Sequence, residues 1–126
     1  MKMVNETNKI MNSEFAVSAT CVRVPVLRSH SEAITITFEE GVDVSVEKAR
    51  EVLDAFENVT VIDDIENNEY PMPMTATDTD ETYVGRIRKD IFSPNILHIW
   101  GVADQVRVGA ATNAVRIAQK WIKLEV

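Results

Sequence analysis

This chain is short of the residues that would make its chemistry self-evident. It has one cysteine and two histidines in 126 residues. A single cysteine rules out an internal disulfide and fits a reducing cytoplasm. Cys21, His30 and His98 are scattered, so they give no metal-ligand spacing. No apolar run approaches the roughly 18 residues that span a bilayer, and the opening Met1-Lys-Met-Val-Asn-Glu-Thr-Asn-Lys9 has no apolar signal region. Positive charge is also scarce. Lys plus Arg is 13 against 20 Asp plus Glu, for a net charge of −7. That argues against a nucleic-acid or acidic-membrane partner, although a local basic cluster can still hold an anion. There is no GxGxxG after a strand, no P-loop and no GxSxG elbow.

What is present reads as one α+β domain. The length allows one core and is too short for two, and the 45% hydrophobic and 26% charged fractions are ordinary globular values. Residues 2–11 predict a helix, with Met3, Glu6, Thr7, Ile10 and Met11 at helical spacing and no clean cap. Residues 15–24 are rich in β-branched side chains and predict a strand stopped by Pro25. Ser29-His30-Ser31 predicts a turn. In residues 32–39, Ile34, Ile36 and Phe38 alternate with Thr35 and Thr37, so a strand with one buried and one polar face is expected.

Gly41 breaks the chain, and Ser45 is placed to cap a helix over 46–56 with Val46, Ala49, Val52, Leu53 and Phe56 as its apolar stripe. A short strand follows at 59–62. Residues 63–80 form a long polar loop holding Pro71, Met72, Pro73 and Met74, which is functional, mobile or a contact arm. Residues 82–89 are a strand, 92–95 a turn, and 96–102 a strand apolar on both faces and therefore central. The last helix spans 109–122 and begins with small residues. The order predicts a mixed, mostly antiparallel sheet with helices packed on it.

Arg23 and His30 carry the chemistry that the residues suggest. They lie seven positions apart at the end of the predicted apolar strand. Guanidinium binds carboxylate bidentately, and histidine moves protons near neutral pH. The plain alternatives are a surface arginine paired with an acid and a solvent-facing turn histidine. Cys21 alternates with Ala19 and Val17, away from any helix N-terminus, and is expected to be a buried structural thiol. His98 is expected to be a satisfied core or interface histidine. Gly109-Ala-Ala-Thr-Asn113 allows a phosphate cradle or tight helix packing. Arg86, Arg88 and Lys89 form a basic patch at a strand end, solvated in the plain reading.

Four segments stand out, in order over essentially the whole chain: Lys2-Met-Val-Asn-Glu-Thr-Asn-Lys-Ile-Met11, Val17-Ser-Ala-Thr-Cys-Val-Arg-Val-Pro-Val26 with His30-Ser-Glu32, Val84-Gly-Arg-Ile-Arg-Lys-Asp90, and Trp100-Gly-Val-Ala-Asp104 running into Gly109-Ala-Ala-Thr-Asn-Ala-Val115. Together they resemble the C-terminal part of the bacterial aspartate-semialdehyde dehydrogenase family. The resemblance implies a fold like the C-terminal domain of glyceraldehyde-3-phosphate dehydrogenase, truncated at its N-terminal end. It implies the NADP-dependent interconversion of aspartyl phosphate and aspartate semialdehyde, in amino-acid biosynthesis from aspartate. Arg23 matches the arginine that grips the substrate carboxylate, His30 the acid/base histidine, and Lys2 the lysine that helps bind phosphate. Gln105 falls where the family places a cofactor-contacting amide. A homodimer follows from the same likeness.

The departures from the family pattern are equally informative. The Gly-rich nucleotide loop is absent, as are the segment with the nucleophilic cysteine and a substrate-binding glutamine, and the glutamate before Lys2. The chain is therefore expected to be a partial domain over residues 1–126, to bind no NADP alone, and to be inactive alone. Apolar surface around Ile117, Trp121 and Ile122 is expected to drive association. The competing class is a non-enzymatic α+β module that holds an acidic metabolite or mediates dimerisation.

Overall fold

The computed structural model describes residues 2–12, 14 and 16–124. Its elements are α1 (Lys2–Met11), β1 (His30–Thr37), α2 (Val46–Asp54), β2 (Val59–Val61), α3 (Pro73–Ala76), β3 (Thr82–Lys89), β4 (Ile96–Ala103), a π-helical turn (Arg107–Ala111) and α4 (Thr112–Leu124). The strands form one sheet in the order β1-β4-β3-β2. β4 pairs antiparallel with both β1 and β3, while β2 runs parallel to β3. The sheet is thus mixed and mostly antiparallel, and the strand at 96–103 is central, as its two apolar faces predict.

Local chemistry explains the elements. Ser45 is extended, and its Oγ accepts the Lys48 N–H at 3.0 Å, which satisfies one orphan donor of α2. Its own hydroxyl donates to Glu47 at 3.0 Å. Glu47 has its carboxyl held below the ordinary range by a backbone hydrogen bond and by Ser45. Between β3 and β4, the Asp90 carboxylate accepts the N–H groups of Phe92 and Ser93 and closes the turn. In the middle of β3 the ladder slips between Gly85 and Arg88, and Arg86 adopts φ 53°. Asp63 holds this bulge by accepting the Arg86 and Ile87 N–H groups at 2.8 and 3.1 Å.

The core lies between α2 and the sheet. Val44, Val84, Ile87 and Leu97 are buried there, with Val46, Ala49, Leu53, Val59, Val61 and Ile99 packed around them. Full burial of a side chain such as Ile87 or Leu97 stabilises the fold by roughly 1.5–3 kcal/mol. Val52 and Phe56 do not join this stripe. They are exposed, and α2 ends at Asp54 rather than 56.

The long 63–80 segment has a topological cause. Adjacent parallel strands need a crossover of a dozen or more residues, and this segment is the crossover from β2 to β3. Trp100 alternates with Leu97 and Ile99 along β4, so it lies on the sheet face opposite α2. Its indole N–H donates to the Pro71 carbonyl at 3.0 Å. The crossover therefore passes over that second face and buries Pro71, Ala76 and Val102. Gly85 permits the passage. A Cβ there would sit 2.1 Å from the Ile62 carbonyl oxygen and 2.6 Å from Pro71 Cδ.

Three expectations are overturned. Residues 16–28 form no strand, and Phe15, the first residue of the expected one, lies outside the described residues. β-Branched composition favours a strand only where a neighbouring ladder exists, and residues 16–28 pair with none of the four strands. Cys21, in this segment, is exposed rather than buried, with its thiol 3.3 Å from the Met3 sulfur. His30 is the first residue of β1 rather than the middle of a turn. In addition, no residue of β1 is buried. Its register puts Ile34 and Ile36 on the core face, opposite Ile99 and Leu97, but α2 packs over β2 and β3 and leaves that edge open.

Candidate active-site end of the sheet

One end of the sheet gathers a dense polar knot. It forms where the chain enters β1, where it leaves β4, and where the crossover returns to β3. Asp104, the first residue after β4, is fully buried. Its Oδ1 accepts from Arg28 Nε at 3.1 Å and the Val106 N–H at 2.9 Å. Its Oδ2 accepts from Arg28 Nη2 and the Asp78 N–H, both at 2.8 Å. Burial pushes this carboxyl up, but the Asp78 N–H, Arg28 and the Val106 N–H together bring it below the ordinary carboxylate range. Arg28 also reaches the Asp78 carboxylate through Nη1 at 2.8 Å.

Ser29 is buried at φ 77°, in the left-handed region that side chains with a Cβ rarely adopt. Its N–H donates to Gln105 Oε1 at 2.7 Å. Its hydroxyl lies 2.9 Å from Thr77 Oγ1. Thr77 spends its own proton on the Pro73 carbonyl, so Ser29 is the donor in that pair. Beside the knot, Asp80 binds Arg107 bidentately, with Nε at 2.9 Å and Nη2 at 2.7 Å, and accepts from Thr112 Oγ1. The Arg107 and Thr112 bonds hold its carboxyl down at about 2.

The residues singled out in the sequence separate into two groups. The structure brings His30 and Gln105 together, because His30 pairs with Ala103 in the sheet and its neighbour Ser29 holds Gln105. Arg23 is exposed in the irregular segment 16–28, and Lys2 is exposed at the start of α1, 3.7 Å from Glu6. Among the described residues, no hydrogen bond or ion pair joins either of them to the knot. The Cys21–Met3 contact links the segment of Arg23 to the helix of Lys2.

Sequence reasoning missed Arg28, Ser29, Asp78, Asp80, Asp104 and Arg107. One signal was available: Asp104 is a carboxylate placed directly after an apolar central strand. A charge there must be paired or stay in water.

The other candidates resolve simply. His98 bonds Thr35 Oγ1 through Nδ1 and Asp90 Oδ2 through Nε2, both at 3.0 Å, so it is satisfied as expected. It lies in a cleft of about 390 Å³ on the face opposite α2, with Thr35, Tyr70, Met72, Arg88 and Trp100. The basic patch is mostly paired: Lys89 meets Asp43 at 2.5 Å, Arg88 donates to the Arg86 carbonyl, and Arg86 sits 5.4 Å from the Tyr70 ring centroid. A Cβ on Gly109 would find only ordinary contact, at 3.8 Å from Gln105 Cβ, so close packing is not what requires this glycine. Among the described residues, no cluster of three or more His, Cys, Asp or Glu side chains could hold a metal. None of the described helices is long and apolar enough to cross a membrane.

Comparison with known proteins places this arrangement. The family described as semialdehyde dehydrogenase, dimerisation domain, matches residues 1–108. The chain belongs to that family. The aspartate-semialdehyde dehydrogenase of Campylobacter jejuni subsp. jejuni serotype O:2 is 64% identical over 125 residues, covering 99% of this chain and 36% of that protein. That of Helicobacter pylori strain J99 is 54% identical over 123 residues, covering 98% of this chain and 35% of that protein. This chain thus spans about a third of the length of the curated relatives it matches. Among solved structures, aspartate semialdehyde dehydrogenase II of Vibrio cholerae, complexed with ASA, matches with a TM-score of 0.88 and 38% identity, over 98% of this chain and 36% of that one. The Candida albicans aspartate semialdehyde dehydrogenase with NADP matches at 0.68 and 29% identity, over 84% of this chain and 33% of that one. The α+β fold of this semialdehyde dehydrogenase domain is therefore the fold of the corresponding third of those enzymes.

Proposed function

We propose that this chain supplies the substrate grip, the acid/base group and the dimer contact of an aspartate-semialdehyde dehydrogenase. The observation that carries the reading is the juxtaposition of His30 and Gln105 at one end of the sheet, through Ser29. The likeness to a structure complexed with ASA supports it. On this reading residues 1–126 are one partial domain that works in the cytoplasm, where a free thiol such as Cys21 stays reduced. A net charge of −7 fits small-molecule partners and a second copy rather than nucleic acid or membrane.

The chemistry follows from the side chains. Arg23 holds the remote carboxylate of the substrate, and its contribution is orientation. Lys2 neutralises phosphate. His30 moves the proton of the reacting carbonyl as a thiolate adds to it or leaves. That thiolate comes from outside this chain, whose lone cysteine, Cys21, is in contact with Met3 instead. Gln105 fits a cofactor contact. Its carbonyl is committed to the Ser29 N–H, so its NH2 is the end left to donate to a cofactor acceptor. NADP, when bound, supplies or accepts the hydride. The nucleotide-binding loop is not encoded here, so the chain alone is expected not to retain it.

The purified 126-residue chain is expected to give no turnover of aspartate semialdehyde with NADP and phosphate; turnover would overturn the reading. The same chain fused to the upstream two thirds of the Campylobacter jejuni relative is expected to be active. In that fusion His30→Ala should lower kcat by about 10²–10⁴-fold. Arg23→Ala should raise KM along with any loss in kcat, because it removes substrate positioning. Full activity of both variants would count against the assignments.

A further inference from the structure

Arg28 and Ser29 precede His30 in the chain, and Asp104 and Gln105 follow β4. The structure ties these two dipeptides by two side-by-side contacts: Arg28 to Asp104, and the Ser29 N–H to Gln105. The partners are 76 residues apart in sequence. The next rung is the backbone pairing of His30 with Ala103. His30 and Gln105 are therefore attached to opposite sides of one clasp. We propose that Arg28 and Asp104 are positioning residues, which lock the His30 strand to the Gln105 turn so that the proton-moving ring and the cofactor-contacting amide move as one body. This rests on the roles proposed above for His30 and Gln105.

The bonding pattern separates this role from simple loop closure. Asp104 already closes its own turn through the Val106 N–H, and it anchors the crossover through the Asp78 N–H. Neither bond involves the strand that carries His30. Arg28 adds that strand, filling the remaining acceptor position on each Asp104 oxygen. It also fixes the chain direction just before Ser29, which is held at an unfavourable positive φ. With Ser29 so held, its N–H points at Gln105 Oε1 and sets which end of that amide is the donor. If Ser29 relaxes, the amide is free to turn and present its oxygen instead. Because Asp104 is fully buried, loss of Arg28 leaves a charge with only backbone partners, and the knot must rearrange.

The test uses the purified chain without ligand, followed by NMR. Arg28→Lys keeps the charge but cannot bridge both Asp104 oxygens. It is expected to speed hydrogen exchange at the Ser29 amide by about tenfold or more, the effect of losing one oriented hydrogen bond. The Gln105 side-chain NH2 signals and the His30 ring signals should shift with it. The β4 amides and the ring signals of His98, held by Asp90 and Thr35, should stay in place. Asp104→Asn is expected to move the same signals further. Gln105→Leu supplies the reciprocal arm and should shift the His30 ring signals, even if Asp104→Asn does not fold. Two results overturn the proposal: unchanged Ser29 exchange and Gln105 signals in Arg28→Lys, or acceleration of Ser29 and the β4 amides together, which marks a merely structural tie. No substrate enters these measurements. An inactive fusion enzyme with the expected signal changes would sink the dehydrogenase reading and leave the clasp standing.

Discussion

Asp80 and Asp104 lie at the same end of the sheet and are held in different ways. Asp104 is sealed from water among four donors, whereas the part-exposed Asp80 carboxylate is held by the Arg107 guanidinium and the Thr112 hydroxyl, with Arg116 on its backbone carbonyl. The Asp80 carboxyl has a folded pKa of about 2 against an ordinary 3.8. A depressed folded value means that the stability it contributes is present above the unfolded pKa and is lost as pH falls through 2. Thermal melts of Asp80→Asn should therefore fall below those of the parent at pH 7 and converge with them near pH 2. A gap that persists unchanged at pH 2 would show that the Arg107 pair is not its source. Asp80 gave no local signal and Asp104 only its place after an apolar strand, because their arginine partners lie 27 and 76 residues away. His30 was visible as a lone titratable group, but the residue that joins it to Gln105, Ser29, offered only a commonplace turn composition.

At the scale of elements, sequence was most legible where the reason for an element is local. The helix at 2–11 and the strand at 82–89 have the bounds that their patterns predict, and Ser45 caps α2 with its own hydroxyl. Ser45→Ala should cost about 1 kcal/mol, read as a lower urea midpoint with an unchanged slope. Legibility failed where an element depends on a neighbour that the pattern cannot name. Residues 16–28 have strand composition but join no ladder. β1 has the alternation of a half-buried strand, yet its apolar face meets no covering layer in this chain. The crossover shows the opposite case, a segment with the composition of a long polar loop that is pinned by Asp63, Pro71 and Trp100. Gly85→Ala tests that pinning. The added methyl must displace the Ile62 carbonyl or Pro71, at a cost of about 1–3 kcal/mol or more. Exchange at β2 amides should rise before exchange in β4, and a variant as stable as the parent would contradict the close passage.

Taken whole, the molecule keeps its buried strand residues on β3 and β4 and leaves α4 bare. Val115, Ile117, Trp121 and Ile122 on α4 are all more than half exposed, at 57%, 59%, 65% and 65%. Apolar surface of that extent drives association, so sedimentation of the purified chain should show dimers or larger species. A clean monomer at high concentration would count against the proposed dimer. Family membership was legible because short blocks of residues along the chain resemble the family's, which is information of a different kind from periodicity. The irregular segment 16–28 has one further consequence. Arg23 stands on an exposed stretch without a ladder, where proteases cut first. Trypsin should nick the chain after Arg23 before it reaches Arg50 or Arg107, whose side chains are bonded to Asp63 and Asp80. That single scission would leave the proposed carboxylate grip on one peptide and the proposed proton shuttle on another, and mass spectrometry would find the two fragments.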